Sequence, residues 1–424
     1  MKKVLILSYY FPPSHFVGGH RTEFWANYLS DYGIYPIVLT RQWNKGQKDL
    51  LEKPNQKELQ IVRNENHEIH YLPVENSLKN RITQQPKLTI LRKALVLLQF
   101  IFGRIHINLS SHRNFYKYSH DLLKKNKDIS IVLVSGRPFE MFQVGYFLKK
   151  KFDIQWIPDY RDEWNTHQNN DRNRKSLIRN YLSFIEKKSE VKWTGNADYF
   201  ISVSKYWTES IQNFTKIPGH VVMNGYHSYN PLPDKSKKDT FKVIYAGTIY
   251  ASQPIELFLK SINQITESNK FPNICIEVLF IGTEIEIYGH KKLLSLTKNK
   301  EHFKFLPRLD KSRLNIELSQ ADLLLLTSFE NVKGWYPVKL FEYYATGKPI
   351  LLTPSDHDVM EDFILNANCG KVINELDSCV NFLHSLIMCK EKGEKVSFKH
   401  NLSYTEQFSR QNQTKILASL LNRD

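Results

Sequence analysis

Gly334-Trp-Tyr-Pro-Val-Lys-Leu-Phe-Glu-Tyr-Tyr-Ala-Thr-Gly-Lys-Pro-Ile350 is the stretch on which the reading of this chain turns. Pro337 suits the first position of a helix, where its missing N–H leaves nothing unpaired. Gly347 suits the left-handed position just past the helix end, and Pro349 blocks continuation. The apolar run at 350–353 then predicts a buried strand. Lys339 and Glu342 lie three residues apart, so both side chains leave one face of the helix. Two readings fit that pair. It is a surface ion pair beside core aromatics, or its carboxylate accepts the two hydroxyls of a ribose while the helix start meets a phosphate.

Outward from this stretch, short apolar runs alternate with helical spacers. Phe241-Lys-Val-Ile-Tyr-Ala-Gly-Thr248 runs a strand into a glycine turn, and further strands are expected at 274–282, 303–306 and 321–326. The first half opens in the same manner. Val4-Leu-Ile-Leu-Ser-Tyr-Tyr10 leads into Phe11-Pro-Pro-Ser-His-Phe-Val-Gly-Gly-His-Arg21, then a helix over 22–32 that Gly33 stops. Strand, glycine-containing loop and helix in that order begin a Rossmann-like unit. Strands follow at 36–40, 68–72, 129–134, 154–158, 197–204 and 220–227, before a polar, proline-containing stretch that reads as a linker. The expected domains are 1–227 and 241–403, joined by 228–240, with a final amphipathic helix in 404–424.

Polar groups gather just past several strand ends, where open parallel sheets bind ligands. Gly18 and Gly19 form a plain tight turn, or let backbone N–H groups approach a phosphate or sugar. Beside them, Arg21 carries the fixed fork suited to phosphate or carboxylate. Asp159-Tyr-Arg-Asp-Glu-Trp164 is the densest acidic block; it is a ligand cluster, or a loop with an internal Arg–Asp pair and a helix cap. Ser135-Gly-Arg-Pro138 sets Arg137 at an equivalent place. Asp356-His-Asp358 is a D-x-D pattern, but Ser355 and Asp358 read better as a helix N-terminus than as a metal site.

Taken in order, these blocks resemble those of glycosyltransferase family 4. The resemblance implies an α/β chain of the GT-B fold, two Rossmann-like domains facing across a cleft. The first domain is the acceptor side, the second binds a nucleotide-sugar, and the last helix returns to the first. By that resemblance Glu342 holds the donor ribose, and Ala246-Gly247-Thr248 matches the donor-phosphate loop. The family's Arg and Lys for the diphosphate are missing just after this turn, which leaves Lys339 or Arg308 to supply the charge. Gly18 and Gly19 join the donor side, while His20, Arg21 and Arg137 face the acceptor. Asp162 and Asp159, oriented by Arg161, match a D-x-R-D-x-W block and are the catalytic candidates. One departure stands out: the family's second glutamate, eight residues before Glu342, is Gly334 here, and Glu330 lies four further upstream.

The implied activity is transfer of a sugar, with retention and without metal or cofactor, to a saccharide or lipid-linked saccharide. Its expected setting is surface polysaccharide synthesis in the cytoplasm or on the inner face of the cytoplasmic membrane. A nucleotide-sugar epimerase of the same fold is the alternative enzyme. A net charge of +16 implies attraction to something anionic: a nucleotide-sugar, nucleic acid or a phospholipid surface. Nucleic acid is not expected, because the basic residues are scattered and no helix-turn-helix, RRM or zinc-finger pattern occurs. The four cysteines form no CxxC pair and read as free thiols. No signal peptide is evident at the start, and the longest apolar run, 94–102, is about half a membrane span. Within 84–119 that run is bracketed by basic residues: it lies on an anionic membrane surface, or is a core helix with a solvated basic end.

Overall fold

Strand order departs from chain order in the same way in both halves of the molecule. The computed structural model describes residues 1–14, 16–44, 47, 58–74, 89–166, 177–329 and 331–423. Two compact units divide it, Met1–Met223 with Gln411–Asp424, and Asn224–Arg410.

The first unit holds β1 (Lys2–Ser8), β2 (Ile34–Arg41), β3 (Gln60–Arg63), β4 (Glu68–Leu72), β5 (Ile129–Ser135), β6 (Gln155–Tyr160), β7 (Phe200–Ser202) and β8 (Gly219–Val221). They lie in the order β3-β4-β2-β1-β5-β6-β7-β8, parallel except for the edge strand β3. Val4, Leu5, Ile6 and Leu7 are all fully buried, as expected of a strand covered on both faces. Its helices are α1 (His20–Tyr28), α2 (Thr89–Ile105), α3 (Arg113–Lys125), α4 (Phe142–Lys149), α5 (Leu177–Thr194) and α6 (Lys205–Thr215).

The second unit holds β9 (Thr240–Ala246), β10 (Cys275–Ile281), β11 (Phe303–Leu306), β12 (Leu323–Leu326), β13 (Ile350–Leu352) and β14 (Gly370–Val372), all parallel, in the order β11-β10-β9-β12-β13-β14. Its helices are α7 (Glu256–Glu267), α8 (Ile287–Leu296), α9 (Lys311–Ser319), α10 (Val338–Ala345), α11 (Val359–Ala367), α12 (Leu376–Glu391) and α13 (Leu402–Thr405). The last helix, α14 (Arg410–Leu421), belongs to the first unit. It buries Leu417, Ala418, Leu420 and Leu421 in one core with Val4, Ile6 and Leu133, and Lys2 Nζ donates to the Leu421 carbonyl at 2.7 Å.

Several local expectations shift. Residues 228–240 are not a free linker: Asn230 and Leu232 donate backbone N–H groups to the Ala345 and Thr346 carbonyls, and Asp234 pairs with Lys348 at 3.0 Å. This strap lies within the second unit, whose boundary falls after Met223. Pro337 stands one position ahead of α10, while Gly347 has the left-handed φ of +72° that ends it. The cap of α11 is supplied by Asp356, which accepts from the Met360 and Glu361 amides; Asp358 instead accepts from the Gly334 N–H. Cys369 and Cys379 are buried, whereas Cys275 is exposed. Among the described residues, no helix is long and apolar enough to cross a membrane.

Candidate active site

Each sheet reverses its order at one place: between β1 and β5 in the first unit, and between β9 and β12 in the second. Helices leave to opposite faces there, which opens a crevice beyond the strand ends. The groups at these two places differ in what they are free to do.

In the second unit, β9 ends at Ala246 and turns through Gly247, whose φ of +118° is a glycine conformation. Across the reversal, α10 follows β12 and is tied back to β9 by two tyrosines. The Ala246 N–H donates to Tyr343 Oη at 2.6 Å, and Lys339 Nζ donates to Tyr245 Oη at 2.7 Å. These ties account for Tyr343 and set the polar face of the helix beside the glycine turn. A Cβ on Gly247 would lie 3.3 Å from Lys339 Nζ, which puts the lysine tip close against the turn. Burial pushes the Lys339 amine down to about 7, with the neighbouring Glu342 charge acting the other way. Glu342 is partly open, and its carboxylate meets Lys311 Nζ at 3.1 Å, itself largely exposed.

Lys339, Glu342 and Gly247 therefore come together, with Thr248 beside them. The Gly247 N–H does not point to a ligand, because it donates to the Ile281 carbonyl at 2.8 Å. Thr248 accepts the Tyr245 hydroxyl on its carbonyl at 2.9 Å. Arg308 is exposed past β11, with its backbone beside Gly282 and its N–H given to Glu284 at 3.0 Å. Gly334, at the missing second glutamate, is a left-handed turn (φ +71°) closed by Asp358; Glu330 lies outside the described residues.

The first unit corrects more of the expectations. Asp159 is fully buried, accepts from Ser135 Oγ at 2.9 Å and faces Arg21 at 3.1 Å. Arg21 is enclosed in turn, donates to the Met223 carbonyl at 2.9 Å and lies over Trp25. This is an internal brace, and neither group is open to an acceptor. Gly19 gives its N–H to the Phe16 carbonyl at 3.0 Å, and Gly18 offers a carbonyl, not an amide, to Arg161. The Gly19 N–H is thus engaged within the turn itself. Any Cβ at Gly18 would strike the Arg161 guanidinium, which accounts for the glycine. Arg161 also donates to the carbonyls of Gly136, at 2.9 and 2.6 Å, and Arg137, at 3.0 Å. It clamps the loops after β1, β5 and β6 together. Asp162 and Arg137 remain at the surface, paired at 3.1 Å, and His20 opens α1 half-buried.

Two acids escaped notice as a pair. Glu163 and Glu190 are buried, and burial lifts each to about 7, with their mutual charge adding to Glu190's rise. Glu190 accepts from Tyr160 Oη at 3.0 Å and Asn165 Nδ2 at 2.6 Å, tying α5 to the end of β6. No spacing in the sequence links residues so far apart.

Two Rossmann-like sheets, each reversing its strand order at one place, give the chain the GT-B fold, and its second unit carries a glycosyltransferase domain. Residues 240–386, the segment holding Gly247, Lys339 and Glu342, match the family described as glycosyl transferases group 1. Solved structures match over the whole length. A sucrose-phosphate synthase from Thermosynechococcus elongatus has a TM-score of 0.66 at 13% identity, covering 99% of this chain and 98% of its own. A glycosyltransferase from Rickettsia africae gives 0.57 at 12%, covering 100% and 99%. Anabaena HepE, solved in complex with UDP and glucose, gives 0.59 at 11%, covering 100% of both chains. At such identities the likeness is one of fold. No curated protein sequence matches the chain.

Proposed function

We propose that the protein transfers a sugar from a nucleotide-diphosphate-sugar to a saccharide or lipid-linked saccharide, with retention and without a metal, in surface polysaccharide synthesis. The observation that carries this reading is the joint placement of Glu342 and Lys339 at the reversal between β9 and β12. Glu342 accepts the two ribose hydroxyls, and Lys311 yields to them at little cost because exposed pairs contribute about 0–1 kcal/mol. Lys339 stands beside the glycine turn, where the diphosphate gathers charge as the sugar leaves. A phosphate there raises the amine's affinity for its proton, so the lysine is charged when it is needed.

On the acceptor side, Asp162 and Arg137 are the polar pair that remains available at the reversal of the first sheet. His20 completes that edge from the start of α1. The likeness to HepE, solved with UDP and glucose, favours a UDP-sugar as the first donor to try.

Calorimetric titration with UDP-, GDP-, ADP- and dTDP-sugars tests the reading on wild type and Glu342→Ala. One donor class should bind the wild type and bind the variant more weakly. Undiminished affinity in the variant removes Glu342 from the site. Incubation of that donor alone, followed by NMR of the sugar, then separates transfer from epimerisation: an altered sugar nucleotide without acceptor overturns the transferase reading. Transfer that persists in EDTA, with the anomeric configuration kept in the product, supports the finer parts.

A further inference from the structure

One helix of the first unit shows water a side on which, among the described side chains, no polar group stands. The inward face of α2 is fully engaged: the Gly103 carbonyl accepts from Gln143 Nε2 at 2.7 Å, and Arg104, lying over Phe100, reaches Glu140 at 3.2 Å and Glu186 of α5 at 3.5 Å. Its other side presents Ala94, Leu97, Leu98, Ile101, Phe102 and Ile105, with Leu98, Phe102 and Ile105 each nearly half exposed. At 3.6 residues per turn these fall on one stripe.

The adjoining helix has an open side of its own. On α5, Tyr181 is 57% exposed and Phe184 51%, and Lys188 Nζ lies over the Phe184 ring at 4.5 Å. The exposed charges on the two helices, among the described side chains, are all positive: Lys93, Arg179, Lys187, Lys188 and Lys192. Glu190 is buried, and Glu186 meets Arg104.

We propose that the apolar side of α2 and the basic side of α5 together dock this unit on an anionic bilayer surface. Large apolar side chains left bare in water call for a cover. A second copy of the same face is a poor one, since it would set lysines against lysines. A bilayer accepts both features: the stripe enters the headgroup–acyl boundary, and the cations meet anionic lipid. With 17 residues, α2 is ~26 Å long, enough to lie in the interface. The inference concerns the first unit alone and stands whether or not the sugar-transfer reading does.

Vesicle co-sedimentation of the full chain tests it, with phosphatidylcholine alone and mixed with phosphatidylglycerol. The wild type should pellet with the mixed vesicles and be released by added salt. Leu98→Glu/Phe102→Glu and, separately, Lys187→Glu/Lys188→Glu should each bind at least about tenfold more weakly. The lysine variant changes only exposed side chains and guards against a misfolded first variant; circular dichroism and donor affinity, both unchanged, complete the control. Failure of the wild type to pellet overturns the proposal, as does equal binding by the variants. A dimer in light scattering that Leu98→Glu/Phe102→Glu breaks, without vesicle binding, assigns the face to a second copy and overturns it too.

Discussion

The two sheets reverse their order at equivalent places, yet one end is locked and the other is open. At the β1–β5 reversal, Arg161 is occupied by three loop carbonyls and Arg21 by Asp159. At the β9–β12 reversal, Lys339 rests on a tyrosine hydroxyl and Glu342 on an exposed lysine. Arginine in the first unit builds the loops; lysine in the second is held where a ligand can claim it. A guanidinium keeps its charge when buried and fans out to several acceptors, so it suits a clamp. An amine shifts its proton readily, and suits a site whose charge must answer to what binds.

The largest effect separating the two ends should be on stability. Arg21→Ala leaves the Asp159 carboxylate buried without its partner, which is expected to cost about 3–5 kcal/mol in urea unfolding. Lys311→Ala, in contrast, removes an exposed pair and should change stability by less than about 1 kcal/mol. If Arg21→Ala unfolds at the wild-type urea concentration, the brace is not structural and the comparison fails.

Next in size, Glu342→Ala should weaken donor binding by about 1–3 kcal/mol, as when a charged hydrogen-bond partner is lost, and leave the melting temperature nearly unchanged. The opposite outcome, a large loss of stability with donor affinity intact, would place Glu342 in the scaffold alongside Asp159.

A smaller effect tests the lysine. Because the free Lys339 amine loses its proton near pH 7, donor affinity should fall as pH rises through that value. Binding near neutral pH should take up a proton, visible as a dependence of the calorimetric heat on the buffer's ionisation enthalpy. Lys339→Arg keeps its charge throughout and should abolish both signs. A proton uptake that survives this variant points to another group.

Much of the architecture could be read from local chemistry. Buried parallel strands are near-continuous apolar runs, so Val4 to Leu7 and Leu323 to Leu326 announce themselves. Pro337 and Gly347 bracketed α10 to within one residue, and the Glu–Lys face follows from helical spacing. What could not be read is which polar groups are already taken. Gly18, Gly136 and Arg137 meet at Arg161 only because β1, β5 and β6 are neighbours, and strand order leaves no local mark. The same limit made Asp159 look like a ligand, although its partner Arg21 comes from a helix far back in the chain. The glycine at 18 is ambiguous for a related reason: close packing against a guanidinium and close approach to a phosphate ask for the same residue.

The buried acids of the first unit give the smallest and most specific test of a locked end. Glu163 and Glu190 hold their protons up to about pH 7 in the folded chain, whereas an unfolded glutamate releases its own near 4.5. The folded state therefore binds more protons between these values, and their contribution to stability is full below the lower one and lost as pH rises toward the upper. Glu190→Gln keeps an acceptor for Tyr160 and carries no titrating proton. The variant should lose less melting temperature than wild type between about pH 5 and about pH 8, with the two curves converging on the acid side. Parallel curves would mean that Glu190 is ionised in the folded protein. The first unit would then carry a buried charge inside the scaffold that α5 and β6 share, held by the Tyr160 and Asn165 donors.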